Sequence, residues 1–261
     1  MDPALSVLEE SLGQPRPDPE VVARAMSAIA AGVDDLPALS DSLDSLADRM
    51  AGLLEGRPVT GSALAAVLYR ADGLRGDRRG YESVDNNRLD AVIERGLGIP
   101  LTLGMVGVLV GRRLGCEFEL VGLPGHVLVR EVGTDLLNDA FDGGAVATAG
   151  EVRDRFVLRH GVDGWRPSHL DALGPRALTG RWARNLRAAA AAAADRLLVE
   201  RALGAELVAE PSGAVLAALV ASLRARGAVL DAAGLLEEHA ELASDPAAAR
   251  LRALRMRAGL N

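Results

Sequence analysis

Residues 98–141 read GIPLTLGMVGVLVGRRLGCEFELVGLPGHVLVREVGTDLLNDAF, and the order of textures in this stretch decides the fold. Gly98-Ile99-Pro100 opens an apolar run that predicts a buried helix to about Leu114. Pro100 falls in its first turn, where a missing N–H is harmless. Gly104, Gly107 and Gly111 share one helical face and predict the close approach of a neighbouring element. After Gly115 the spacing becomes strand-like over 117–122, 126–132 and 135–141, with Gly and Pro between the runs. Gly133-Thr134 predicts a two-residue hairpin turn with Gly at its first central position. That register sets His126 opposite Phe141 and Leu128 opposite Asp139, which makes His126 and Asp139 diagonal neighbours on one face.

A carboxylate beside an imidazole fixes its tautomer and orientation, which is the base-and-orienter half of a nucleophilic triad. The same pair also serves as a plain structural hydrogen bond near a strand end. A thiol nucleophile belongs at a helix N-terminus, where the dipole favours the thiolate. The single cysteine, Cys116, stands at the other end of the apolar helix, about 24 Å from Pro100 at 1.5 Å per residue. It reads as a packing cysteine. Thr102, a first-turn hydroxyl, remains as either a helix-end hydrogen bonder or a candidate nucleophile. His160, His169 and His239 lack a matching partner, and a site from His160, Asp163 and His169 has neither HExxH nor CxxC support, so no metal is expected. GxGxxG and GxxxxGK[ST] are absent, and no cofactor is expected.

Upstream, Val21, Ala25 and Ile29, then Leu36, Leu39, Leu43, Leu46 and Met50, recur at helical spacing. Further helices are expected over 62–69 and 87–95. The charged, glycine-bearing stretch from Asp72 to Asp85 reads as an exposed loop. Residues 1–19 open on a short possible helix before a linker marked by Pro15, Pro17 and Pro19, and together read as a flexible N-terminus. Beyond Gly150 the chain reads as helix, after a loop marked by Trp165, Pro167 and Gly174-Pro175. Glu210-Pro211 and Asp245-Pro246 recur 35 residues apart, which fits a degenerate tetratricopeptide-like tail or a simple helical cap. The expected organisation is a flexible 1–19, a core over 20–174 and a helical tail over 175–261.

A composition of 49% hydrophobic and 25% charged residues excludes global disorder, while 3% aromatics require a core of Leu, Val, Ile and Ala. The net charge of −7 speaks against nucleic-acid or anionic-membrane partners. The longest uncharged run, residues 96–111, falls short of the roughly 20 residues a membrane span needs. No basic-then-apolar leader opens the chain, and one cysteine fits a reducing compartment, so a cytoplasmic protein is expected. Its oligomeric state stays open.

Two segments resemble the SirB family of transglutaminase-like proteins. One is Asn87-Arg-Leu-Asp-Ala-Val-Ile-Glu94-Arg95 with Gly98-Ile99-Pro100-Leu-Thr102 and Arg112-Arg113-Leu-Gly115. The other is Gly122-Leu123-Pro124-Gly125-His126-Val-Leu-Val-Arg130, followed by Asn138-Asp139-Ala-Phe141-Asp-Gly143-Gly144. The resemblance implies an α+β fold: a papain-like core with a central helix on an antiparallel sheet, N-terminal helices, and an all-helical C-terminal segment. It also implies Cys, His and Asp in chain order. His126 and Asp139 match the second and third, but Pro100 stands in the cysteine's place, a pattern many SirB-type sequences share. Asn138-Asp139-Ala stands where relatives often read Asp-Pro.

Carried onto this chain, the resemblance makes Asn87, Glu94, Pro100, Gly125, His126 and Asp139 the binding cleft. It implies a bacterial-type regulatory module that binds a peptide or protein without cysteine-based catalysis. The alternative, open at this point, is an amide hydrolase or acyltransferase that uses Thr102 or water with His126 as base.

Overall fold

The computed structural model describes residues 2–71 and 73–259. They form two compact units, residues 35–174 and residues 1–34 with 175–261. The chain opens in the latter with α1 (Pro3–Gly13) and α2 (Pro19–Ala31). α1 falls where the sequence allowed a short helix and residues 14–18 form the connection its prolines mark, while residues 20–34 group with this unit rather than with the core. The prolines punctuate helices. Pro3 and Pro19 occupy first turns behind the caps Asp2 and Asp18, whose carboxylates accept from Ala4 N and Glu20 N. Leu8 and Leu12 bury α1, which packs on α2.

The 35–174 unit holds α3 (Ala38–Leu54), α4 (Gly61–Ala66), β1 (Arg75–Gly76), α5 (Leu89–Arg95), β2 (Leu97–Gly98) and α6 (Pro100–Arg113). It continues through β3 (Phe118–Leu123), β4 (His126–Glu131), β5 (Leu136–Asp139), β6 (Ala145–Thr148) and α7 (Ala149–His160). Every residue of α6 from Pro100 to Val110 except Val108 is buried, as expected of a helix apolar on all sides. It packs on α3, α5 and the strands β3 and β4. Its glycines explain how close. A methyl on Gly104 would press on Leu120 and Val129, one on Gly111 would overlap the Phe118 ring, and one on Gly107 would overlap the Tyr69 hydroxyl.

The sheet is antiparallel in the order β3-β4-β5-β6. The β4–β5 register pairs Val129 with Asn138 and Arg130 with Leu137, the register the sequence predicts. The turn differs in detail: Thr134 N bonds Glu131 O, which puts Gly133 (φ 86°) at the second central position rather than the first. Behind the sheet, Val121, Leu123, Leu128, Leu137 and Ala147 pack with Val152 of α7. The short strand β6 has no counterpart in the sequence reading, because four residues of Ala, Val and Thr carry little periodicity.

The stretch after Tyr69 is not a simple exposed loop. β1 pairs in parallel with β2, Gly76 N bonds Phe141 O at 3.1 Å, and Leu74, Asp77 and Asn86 are buried. Asp72, its expected start, lies outside the described residues.

The other unit continues with α8 (Pro175–Ala192), α9 (Arg196–Ala209), α10 (Gly213–Ala225), α11 (Val229–Glu238) and α12 (Pro246–Arg257). Successive helices pack on one another, and Leu216, Leu219, Val220 and Leu223 of α10 are buried among Leu203, Leu207, Ala233 and Leu236.

Candidate functional site

Leu123-Pro124-Gly125-His126 makes the β3–β4 turn, with Pro at its first central position and Gly125 at φ 76° in the second. The turn places His126 at the first residue of β4. Alternation along β4 turns Val127 and Val129 toward Gly104 of α6, whereas His126 has the parity of Leu128. Asp139 ends β5 with the same parity. The two side chains meet: His126 Nε2 lies 2.8 Å from Asp139 Oδ2, each side chain about a quarter to a third exposed. The second carboxylate oxygen accepts from Phe141 N and Asp142 N, both at 3.1 Å. A carboxylate only accepts, so against it Nε2 is the donor, and in the neutral tautomer that matches this contact Nδ1 holds the lone pair. That nitrogen has no hydrogen-bond partner among the described residues.

Around the imidazole stands an aromatic rim. Phe141 meets His126 edge-on with ring centres 6.3 Å apart, and Tyr81 meets Phe141 at 6.0 Å. Arg78 lies over the Phe141 ring, 5.1 Å from its centre, and pairs with Asp142 at 2.8 Å. Phe141 and Asp142 follow β5, whereas Arg78 and Tyr81 come from the 77–86 loop, whose shape depends on Asp77. Its carboxylate accepts from Gly80 N at 2.7 Å, Asn86 Nδ2 at 3.2 Å and Arg95 at 3.2 Å. Burial pushes the Asp77 pKa up, but these donors and the Arg95 charge outweigh it and hold the carboxyl below its usual range. Tyr69 is buried. Its hydroxyl donates to Leu103 O at 3.2 Å from a single π-helical turn over Val67–Ala71, and burial, then the Asp139 charge, raises its pKa far above the usual phenol value.

The other sequence candidates divide. Pro100 is buried at the first position of α6. Thr102 is buried and engaged: its hydroxyl donates to Asn86 O at 2.8 Å and accepts from Ile99 N at 3.3 Å. No hydrogen bond joins it to His126 among the described residues. Asn87 is buried at the end of the 3-10 turn Val84–Asn87, whereas Glu94 is exposed on α5, where its charge acts on Arg88. Cys116 sits past the far end of α6, its thiol donating to Val59 O at 2.7 Å. Burial, then the Glu131 charge, raises its pKa.

Asp77, Asn86, Tyr69, Tyr81, Arg78 and Phe141 escaped the sequence reading as site residues. The available signal was Gly76-Asp77 inside a charged run, with Asn86-Asn87 following.

The transglutaminase-like superfamily matches residues 37–184 of this chain. A UPF0162 protein of Xylella fastidiosa is 32% identical over 148 residues, 53% of this chain and 53% of its own length. One of Vibrio cholerae is 25% identical over 138 residues, 49% of this chain and 48% of its own. F-box only protein 21 of Mus musculus is 34% identical over 68 residues, 26% of this chain and 11% of its own. The chain thus spans about half the length of the UPF0162 proteins it matches. No solved structure matches it.

Proposed function

This chain belongs to the transglutaminase-like superfamily, and from that premise we propose that it is a peptide- or protein-binding regulatory module without cysteine-based catalysis. Its groove is the His126–Asp139 cleft with the aromatic rim of Tyr81 and Phe141. The Gly98-Ile99-Pro100 motif supports a SirB-type affiliation within the superfamily, and with it a cytoplasmic, bacterial regulatory setting.

The observation that carries the reading is what stands at the two ends of α6. The first turn, where a thiolate would gain from the helix dipole, holds Pro100 and a threonine whose hydroxyl is already hydrogen-bonded on both sides. The thiol stands at the other end, raised in pKa. Without an activated nucleophile, an Asp-oriented imidazole in a rimmed cleft is a hydrogen-bonding group for a ligand. His126 Nδ1 accepts from a peptide N–H, and the Tyr81 and Phe141 faces take an apolar side chain.

One observation favours a second reading, hydrolysis by water. Nδ1 is free and the ring is oriented by Asp139, which is what a general base requires.

Two experiments on the full chain separate the readings. Panning a random displayed peptide library should yield binders that are lost on His126→Ala and on Phe141→Ala. Amine incorporation and peptide hydrolysis should stay at background for wild type. Turnover that persists in Thr102→Ala and disappears in His126→Ala would replace the binding reading with water-based hydrolysis. Turnover lost in both would restore the hydroxyl nucleophile.

A further inference from the structure

The last helix, α12, reads Pro-Ala-Ala-Ala-Arg-Leu-Arg-Ala-Leu-Arg-Met-Arg over 246–257. It carries two apolar stripes on opposite sides. Ala249, Ala253 and Met256 are buried, and α12 packs on α11. The outer stripe runs Ala247, Leu251, Leu254 and Ala258 at i, i+4, i+7 and i+11, all exposed, with Leu251 at 50% and Leu254 at 57%. That is the spacing of a helix–helix seam, and its position on the solvent side gives it no role in the fold of its own unit.

Arginines flank the stripe. On one side Arg250 pairs with Glu241, and Arg257 with Glu237 at 2.6 Å. On the other, Arg252 and Arg255 are exposed and make no ion pair with a described residue. The helix has four arginines and no acidic residue, within a chain whose net charge is −7. We propose that the outer face of α12 is a docking seam for a helix of a partner protein, one with leucine-type residues at heptad spacing flanked by Asp or Glu opposite Arg252 and Arg255.

The charge pattern selects this occupant. A second copy docking the same face would bring Arg252 and Arg255 against the same arginine-rich helix, a like-charge arrangement. A lipid surface would find two leucines and no aromatic residue, less apolar face than interfacial helices present. A narrow leucine seam with basic flanks matches a narrow acidic amphipathic helix. The proposal does not depend on the reading of the His126 cleft.

The test uses the full chain and a labelled three-heptad helical peptide with Leu at a and d and Glu at e and g. Controls are its scrambled form and its Lys counterpart. We expect the acidic peptide to bind best, and more weakly as salt rises. Leu251→Ser with Leu254→Ser should weaken binding about ten-fold. Arg252→Glu with Arg255→Glu should weaken it about as much and confer binding of the Lys peptide, because attraction then runs the other way. All four side chains are exposed, so thermal melts should match wild type. The proposal is overturned if the acidic peptide binds no better than its controls, or if the seam variants leave its binding unchanged. It also fails if Leu251 and Leu254 instead govern self-association in sedimentation or binding to phosphatidylglycerol vesicles.

Discussion

At its N-terminal end α6 begins with a buried proline and a buried threonine, against a loop held by Asp77, Asn86 and Arg95. At its C-terminal end the chain turns through Gly115, at φ 74°, with Gly115 N bonded to Arg112 O and Cys116 N to Gly111 O. This is a Schellman closure, and it leaves Cys116 half-exposed beside Val59. The N-terminal end is buried, cross-linked by charge-assisted hydrogen bonds and faces the loop that carries Arg78 and Tyr81. The C-terminal end is closed by backbone alone, and its one reactive atom is stabilised as the thiol. The difference teaches that this core keeps its ordered polar contacts at the end of α6 that faces the 77–86 loop, although the first turn there holds no thiol.

The comparison breaks first at Asp77. Asp77→Ala takes one acceptor each from the buried Asn86 amide, the Arg95 guanidinium and Gly80 N, so unfolding stability should fall by about 2–3 kcal/mol. Chemical denaturation measures this. A loss no larger than that of a surface aspartate such as Asp154 would mean that the N-terminal network is ornamental. Next comes the middle of the helix. Gly107→Ala drives a methyl into the Tyr69 hydroxyl and should cost about 1–3 kcal/mol. Combined with Tyr69→Phe, the two changes should be less than additive, because the atom in conflict is gone.

Acid should act through the same carboxyl. The folded pKa of Asp77 is below its unfolded value, so its contribution is complete above an unfolded pKa of about 3.9 and fades as pH falls from there through the lowered folded value. Melting temperatures of wild type and Asp77→Asn should therefore converge below about pH 4; a constant gap would remove Asp77 as the titrating group. The smallest effect belongs to the far end. Cys116→Ala gives up one partly exposed thiol hydrogen bond and should cost less than about 1 kcal/mol. Its thiol should also react slowly with iodoacetamide at neutral pH, because burial and Glu131 raise its pKa. Rapid alkylation would erase the contrast between the ends.

The sequence by itself determined α6, the antiparallel hairpin and the meeting of His126 with Asp139. Each of these follows from short-range rules: a proline-led apolar run, strand alternation, and a turn length that sets register. The hairpin's pairing needed only residues within about one strand length of the turn, so the 2.8 Å contact was legible even though the turn's own geometry was not. The glycine face of α6 likewise announced close packing, though not that Gly107 would meet a tyrosine and Gly111 a phenylalanine.

Tertiary structure alone decided what surrounds that pair. Asp77, in a run as charged as any surface loop, is buried because β1 pairs with β2 and Asn86 and Arg95 arrive to accept its burial; none of these partners is within local reach. Thr102 could be read as a nucleophile until the Asn86 carbonyl was found on its hydroxyl. The linker that Pro15 and Pro17 mark is the connection between α1 and α2, but that the helix before it would be buried was decided by α2 and α9, against which α1 packs. Periodicity reports the face an element will hide. The identity of the polar group that makes hiding a charge tolerable is set by contacts distant in sequence, which no local pattern encodes.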